Sequence, residues 1–234
     1  MHYLFFDESY PPSPHPDQKT IIMAAWGVEQ DRFRRRMSGE SELYNPPVLQ
    51  RINAMFESLD AIGVLGTATL DTSLFRAGEV DGTDDIPAMA RADNIWSQCA
   101  IFVVSTVILE LLHSKQEVGT VDVYFDPKSL KTKHAEALAK TLRELVVPEA
   151  RRYAAQRGLR GMKKLHIRRV QPVKKPRANQ PADKFQVGTW VADKLCSSAE
   201  DTRIGAFPRI RFWDMSDVVK RTVQQFDGKS FYEN

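Results

Sequence analysis

Apolar residues fill nearly every position of 2–7 (HYLFFD), which predicts a strand buried on both faces and therefore central in its sheet. A link with prolines at 11, 12, 14 and 16 follows, and then a second apolar run at 20–28 (TIIMAAWGV). A parallel pair needs a crossover of a dozen or more residues, usually helical. This link is too short and too rich in proline, so the first two strands are expected to form an antiparallel hairpin. Residues 31–60 read as helix, loop, helix, broken at Asn45-Pro46-Pro47, with apolar positions 48, 49, 52, 55, 56 and 59 at helical spacing in the second helix. A third strand with glycine interruptions is predicted at 61–71 and a polar, acidic loop at 72–85. Asp85 and Pro87 mark a helix start. That helix reaches about Lys115 and contains the longest apolar run, CAIFVVSTVILELL.

The second half repeats a strand–helix rhythm. TVDVYFD at 120–126 is a fourth strand. A helix begins near Thr132, with a kink or fresh start at Pro148 and a stop at Gly158. KLHIRRVQPV at 164–173 is a fifth strand, and 183–199 is the last major helix. RIRFW at 209–213 reads as a short strand and 215–226 as a terminal helix. Neither an internal repeat nor a linker is visible. The expectation is one domain over 1–234, with a helical insertion at about 31–60 and a C-terminal extension at about 203–234.

Composition narrows the class. With 42% hydrophobic and 27% charged residues, the profile is that of a soluble globular chain. The first residues lack the basic segment and the length of a signal peptide. The long apolar run carries Ser105, Thr106 and Glu110, so a core helix is expected rather than a membrane span. Two cysteines, Cys99 and Cys196, without a Cys-x-x-Cys pair, argue against a zinc site or disulfide framework and fit a reducing cytoplasm. The net charge of +3 is unevenly placed. The stretch 151–177 holds 11 of the 33 basic residues, and no acid occurs between Ala150 and Ala182. This segregation predicts a polyanion contact, through Arg168, Arg169, Lys174, Lys175 and Arg177 on backbone phosphates.

The candidate chemistry lies in carboxylates at element ends. FFDES ends the first strand on Asp7, Glu8 and Ser9; VDVYFD ends the fourth on Asp126; Asp193 lies on the margin of the apolar stripe of the last helix. Carboxylates gathered together repel, by roughly 4 kcal/mol per pair at about 4 Å and an effective dielectric of about 20. Such a group therefore wants a cation. Asp7, Asp126 and Asp193, which stand where the ribonuclease H-like fold that the chain resembles carries its acids, are by that resemblance the expected metal ligands, with Glu8 as a further catalytic candidate. Ser9 is a supporting residue that can hydrogen-bond a carboxylate or cap the turn, and the resemblance to ribonuclease H-like sites implies a supporting acid at Asp93, in the first turns of the long helix. Asp71 and Asp122 read as structural. His134 and His166 read as surface residues, and the four tryptophans as core.

An antiparallel hairpin first, with helical crossovers later, is the element order of the ribonuclease H-like fold. The fold class expected is α/β, with a five-stranded mixed sheet flanked by helices. FFDES, VDVYFD and VGTWVADKL together resemble the bacterial and phage family called domain of unknown function 3800, over residues 2 to about 200. The resemblance implies a ribonuclease H-like, metal-dependent nuclease using Mg2+ or Mn2+ and acting on DNA or RNA. The chain departs from the family pattern at Tyr10, where the family usually has Gly, and at Trp190, where it often has a polar residue. Tyr10 is expected to narrow the site entrance. Two other readings stand beside this one. A catalytically inactive module of the same fold would bind nucleic acid or a protein. An aspartyl phosphatase would want Asp-x-Asp, but Ser9 occupies the second position.

Overall fold

Both edges and both faces of the first strand are occupied, as its unbroken apolar run predicts. The computed structural model describes residues 1–10, 18–37, 49–71, 85–114, 117–126, 132–159, 165–173, 183–199, 207–226 and 229. Strand β1 (His2–Ser9) pairs antiparallel with β2 (Gln18–Glu29) on one edge and parallel with β4 (Thr120–Phe125) on the other. β2 pairs antiparallel with β3 (Ile62–Asp71), β4 parallel with β5 (His166–Pro172), and β3 parallel with β6 (Ile210–Asp214). The sheet order is β5-β4-β1-β2-β3-β6. The hairpin and the parallel crossovers are thus as expected, in a mixed α/β fold.

The strand count is corrected from five to six. β6 continues the sheet beyond β3, and the helix after it packs into the core. The expected C-terminal extension is therefore partly built into the sheet. β6 is five residues long and exposed over its last four positions, so it lacks the buried alternation that announces a strand. One of its exposed residues, Trp213, is also a correction to the expectation that all four tryptophans are core.

Helices cover both faces. One face carries α3 (Asp85–His113), α4 (Thr132–Thr141), α5 (Val147–Gln156) and α7 (Ser216–Gln224). Its core unites Leu4, Phe6, Met23 and Val64 with Val103, Val107, Leu138, Met215 and Val219. The other face carries α1 (Gln30–Met37), α2 (Leu49–Leu59) and α6 (Lys184–Ser197). There Tyr3, Phe5, Ala24 and Trp26 meet Phe33, Phe56, Val191, Ala192 and Leu195. In α3, Ala92–His113 is long and apolar enough to cross a membrane by length and composition, and its apolar side is spent on the sheet. Between α4 and α5 the helix widens into a π turn, Leu142–Val146, two residues before Pro148. Proline has no N–H and its ring crowds the carbonyl four residues back, so a wider turn accommodates it without ending the helix. Gly158 ends this region at φ 64°, as a helix stop requires.

Helix α6 lies unusually close to the sheet. Its N-terminus has the capping box in which Asp183 accepts from Phe185 and Gln186 N–H while the Gln186 side chain accepts from Asp183 N–H. Trp26 Nε1 donates to the carbonyl of Gly188 at 2.9 Å, and the Gly188 Cα faces the ring of Phe5. Phe5 in turn stacks on Trp26 and Tyr124, with centroids 4.9 and 5.5 Å away. Any side chain at 188 meets that ring. Gly188→Ala should therefore lift α6 and destabilise the protein by about 1–3 kcal/mol in urea denaturation. Gly119→Ala, with nothing within 4 Å of its added carbon, should be far milder.

Candidate functional site

The geometry of the β1–β4 pair locates the candidate acids. Phe6 is in register with Phe125, and the two rings stack at 5.1 Å. Asp7 and Asp126 are the residues that immediately follow them, just beyond the C-terminal end of the parallel ladder between strands that run about 4.8 Å apart. Both are buried, Asp7 at 1% and Asp126 at 7% exposure. Side chains alternate along a strand. Asp7 therefore shares the α6 face with Tyr3 and Phe5, and Asp126, one residue past β4, continues the side of Tyr124 on that same face. Helix α6 meets this end of β1 directly: Cys196 Sγ lies 3.2 Å from the Asp7 carbonyl, which accepts its hydrogen bond. Asp193 is half-buried one helical turn before Cys196. The elements that carry Asp7, Asp126 and Asp193 thus converge on one sheet end.

Glu8, the next residue on β1, faces the other way. It is buried on the α3 side, and its amide donates to Asp7 Oδ1 at 2.8 Å. On that side Trp96 packs against Phe6 and Phe125, with centroids 5.8 and 6.1 Å away. Asp93 is one turn earlier on α3 and half-buried. Tyr10 joins this group. Burial and then, in order, Glu8, Cys99, Asp93 and Asp7 push its phenol above the ordinary value. The residue itself is 56% exposed and stands two positions after Glu8, just past the end of β1. Cys99 itself is an inert buried thiol, pushed up to about 12 by burial. Ser9 is half-buried opposite Ile22 in the hairpin.

Among the described residues no group of three or more His, Cys, Asp or Glu side chains stands close enough to hold a metal ion together. Magnesium keeps several waters and is commonly bound through one or two carboxylates plus substrate phosphate. Asp7 and Asp126, hard oxygen donors just beyond the ladder of neighbouring strands, therefore fit its chemistry as a pair.

The basic stretch is not free of acids in space. Asp122, fully buried on β4, accepts from Arg168 Nε at 2.8 Å and from Arg168 Nη2 at 2.5 Å, and Arg169 Nε lies 3.5 Å away. This corrects the expectation that Arg168 and Arg169 lie without acids nearby, and it bears out Asp122 as a structural acid. The signal was present as a single acid inside the apolar strand TVDVYF, where a buried charge requires a partner. Lys174, Lys175 and Arg177 lie outside the described residues, as does the side chain of His134; His166 is exposed.

No family model matches the chain, and no curated protein matches it. Among solved structures it is similar to a chain in the structure of the PCNA:RNase HII complex from Archaeoglobus fulgidus, at 14% identity and a TM-score of 0.34. That match covers 87% of this chain and 75% of the other. So low a score carries no argument about function.

The Asp122 network has a pH signature. Burial first, then the Asp122 carboxylate, pushes the Tyr124 phenol from 10.0 up to about 12, against a downward pull from Arg169. The phenol stays neutral in the folded protein after the unfolded chain has begun to ionise. Stability is therefore intact below about pH 10 and falls as pH rises toward about 12. Tyr124→Phe should flatten that alkaline fall in urea denaturation measured across this range; a fall equally steep in the variant would assign it to other groups.

Proposed function

We propose that this chain is a ribonuclease H-like, metal-dependent nuclease of the kind that the domain of unknown function 3800 motifs imply. The observation that carries the reading is the placement of Asp7 and Asp126 as buried neighbours just beyond the parallel ladder of two central strands, with α6 bringing Asp193 to the same end. The order of elements, hairpin first and helical crossovers afterwards, supports the fold assignment. Asp7 and Asp126 would hold Mg2+ or Mn2+, with Asp193 beside them. An ion held there would lower the pKa of a bound water and offset charge on the phosphate oxygens. Asp7, set by β1 between β2 and β4, cannot shift without disturbing three strands, so its carboxylate is oriented before substrate arrives. Glu8 and Asp93 lie on the α3 side of β1, and Tyr10, more than half exposed, follows Glu8 in the chain just past the end of β1.

A second reading keeps the fold and drops the chemistry: an inactive module that binds nucleic acid or a protein. The lack, among the described residues, of a ready three-carboxylate group favours it. One pair of experiments separates the two. In the nuclease, Mg2+ or Mn2+ raises the unfolding temperature, by about 2.7 kcal/mol of stabilisation at 100 times the dissociation constant. Labelled single-stranded or duplex substrate is then cleaved in metal and not in chelator. Asp7→Asn should lose both responses while melting, without metal, no lower than wild type. Metal-independent melting with no cleavage by wild type supports the inactive module.

A further inference from the structure

Arg168 and Arg169 are consecutive, and in a regular strand their side chains would point to opposite faces. The β4–β5 ladder is not regular there. Val121 pairs with Ile167 and Asp122 with Arg169, so Arg168 is the extra residue of a β-bulge. The bulge brings both guanidinium groups to one carboxylate. From the adjoining π turn, Arg143 holds it in place, donating through Nε to the Ile167 carbonyl and through Nη2 to the Arg168 carbonyl, each at 2.9 Å. Two local irregularities, a π turn and a β-bulge, thus meet around these two arginines.

Pairing one buried carboxylate requires one guanidinium, and Arg168 already makes the two-pronged contact with Asp122. Arg169 is in surplus. Among the described residues no hydrogen bond engages its guanidinium, and its contact to Asp122 is an ion pair at 3.5 Å. The side chains of Arg168 and Arg169 are 43% and 49% exposed, over a carboxylate that is fully buried. Two phenols border them on the same face. Tyr124 Oη donates to Asp122 Oδ2 at 3.4 Å, and Tyr3 Oη lies 2.6 Å from the Gln30 amide, which also meets the Arg34 guanidinium. The local balance is positive, the donors are oriented from beneath, and their outer sides face solvent.

We propose that the β4–β5 bulge is a phosphate-binding site, in which Arg169 and the outer edge of Arg168 take one backbone phosphate of a nucleic acid strand. Asp122 is its positioning residue. A guanidinium already held by a buried carboxylate loses little further freedom on binding, and its planar fork suits phosphate oxygens. The site rests on the nucleic-acid reading above for the source of its phosphate, and not on hydrolysis or on a metal.

The test is fluorescence anisotropy of a short labelled oligothymidylate, in chelator, across a salt series. Wild type, Arg169→Gln, Arg169→Lys and, as a control on the exposed side of helix α7, Arg221→Gln are compared, with folding checked by circular dichroism. Arg169→Gln should bind more weakly, with a log–log salt slope shallower by about 0.7, the contribution of one phosphate on a single strand. Arg169→Lys should restore the slope, and Arg221→Gln should match wild type. A folded Arg169→Gln with the wild-type slope overturns the site. If wild type binds no oligonucleotide even at low salt, the nucleic-acid reading fails, and melting in sodium phosphate decides the site itself. Stabilisation of wild type but not of Arg169→Gln upholds it as a phosphate site; an equal response, or none, overturns it.

Discussion

Strand β1 has a neighbour on each edge and a helical layer on each face, so its backbone and its side chains are fixed by different parts of the chain at once. Its two hydrogen-bonded neighbours run in opposite senses, β2 back from the hairpin and β4 forward from a helical crossover. Its two faces are fixed by contacts of different kinds. On one, Phe6 stacks with Phe125 above Trp96; on the other, Phe5 sits between Trp26 and Tyr124 and against the bare Cα of Gly188. Aromatic pairs of this type add about 0.5–1.5 kcal/mol each beyond burial. The consequence for function is positional. Residue 7 is the first position beyond the β1–β4 ladder while still paired to Ala24 in the hairpin, and a carboxylate there inherits the rigidity of both layers.

A second constraint works on β5. Burying Asp122 inside β4 creates a charge that must be met, and the chain meets it by departing from regular geometry. Arg168 is inserted as a bulge so that the guanidinium groups of consecutive residues reach the same carboxylate, and Arg143 on the π turn secures the carbonyls that the bulge exposes. Arg151 from α5 donates to the Leu165 carbonyl just ahead of the same strand. Arginines from the covering helices thus occupy carbonyl groups near an edge strand that would otherwise stand open to another chain. Much of the charge that looks, in the sequence, like one undivided basic surface is divided between holding this edge and facing solvent.

How much of this was readable depended on whether the signal was local. The unbroken apolar run of HYLFFD announced a central strand, and the short proline-rich link announced the hairpin, because each is a property of one segment. Asp126 just past the end of β4 followed from the same kind of run, whereas Asp7 lies two residues inside β1, because the hairpin ladder continues to Ser9. β6 was legible only as a short strand of unassigned partner. Its aromatics, Phe212 and Trp213, are only part-buried, and its pairing with β3 depends on a crossover from the far edge of the sheet. The bulge was not legible at all: an Arg-Arg pair in a strand implies opposite faces, and only the register against β4 reverses that. The separation of Glu8 from Asp7 was legible from the period of two, whereas the company it keeps, Asp93 and Tyr10, needed the packing of α3 against β1.

The proposed nuclease needs the C-terminal sides of β1 and β4 to act as one divalent-ion site. Crystals of the protein soaked in manganese and measured for anomalous scattering test this most directly. The prediction is a single strong peak, or a pair about 3.5–4 Å apart, with Asp7 and Asp126 both contributing oxygens at about 2.1 Å and Asp193 facing the same ions. Manganese bound elsewhere, with the space between Asp7 and Asp126 empty at saturating concentration, would contradict it.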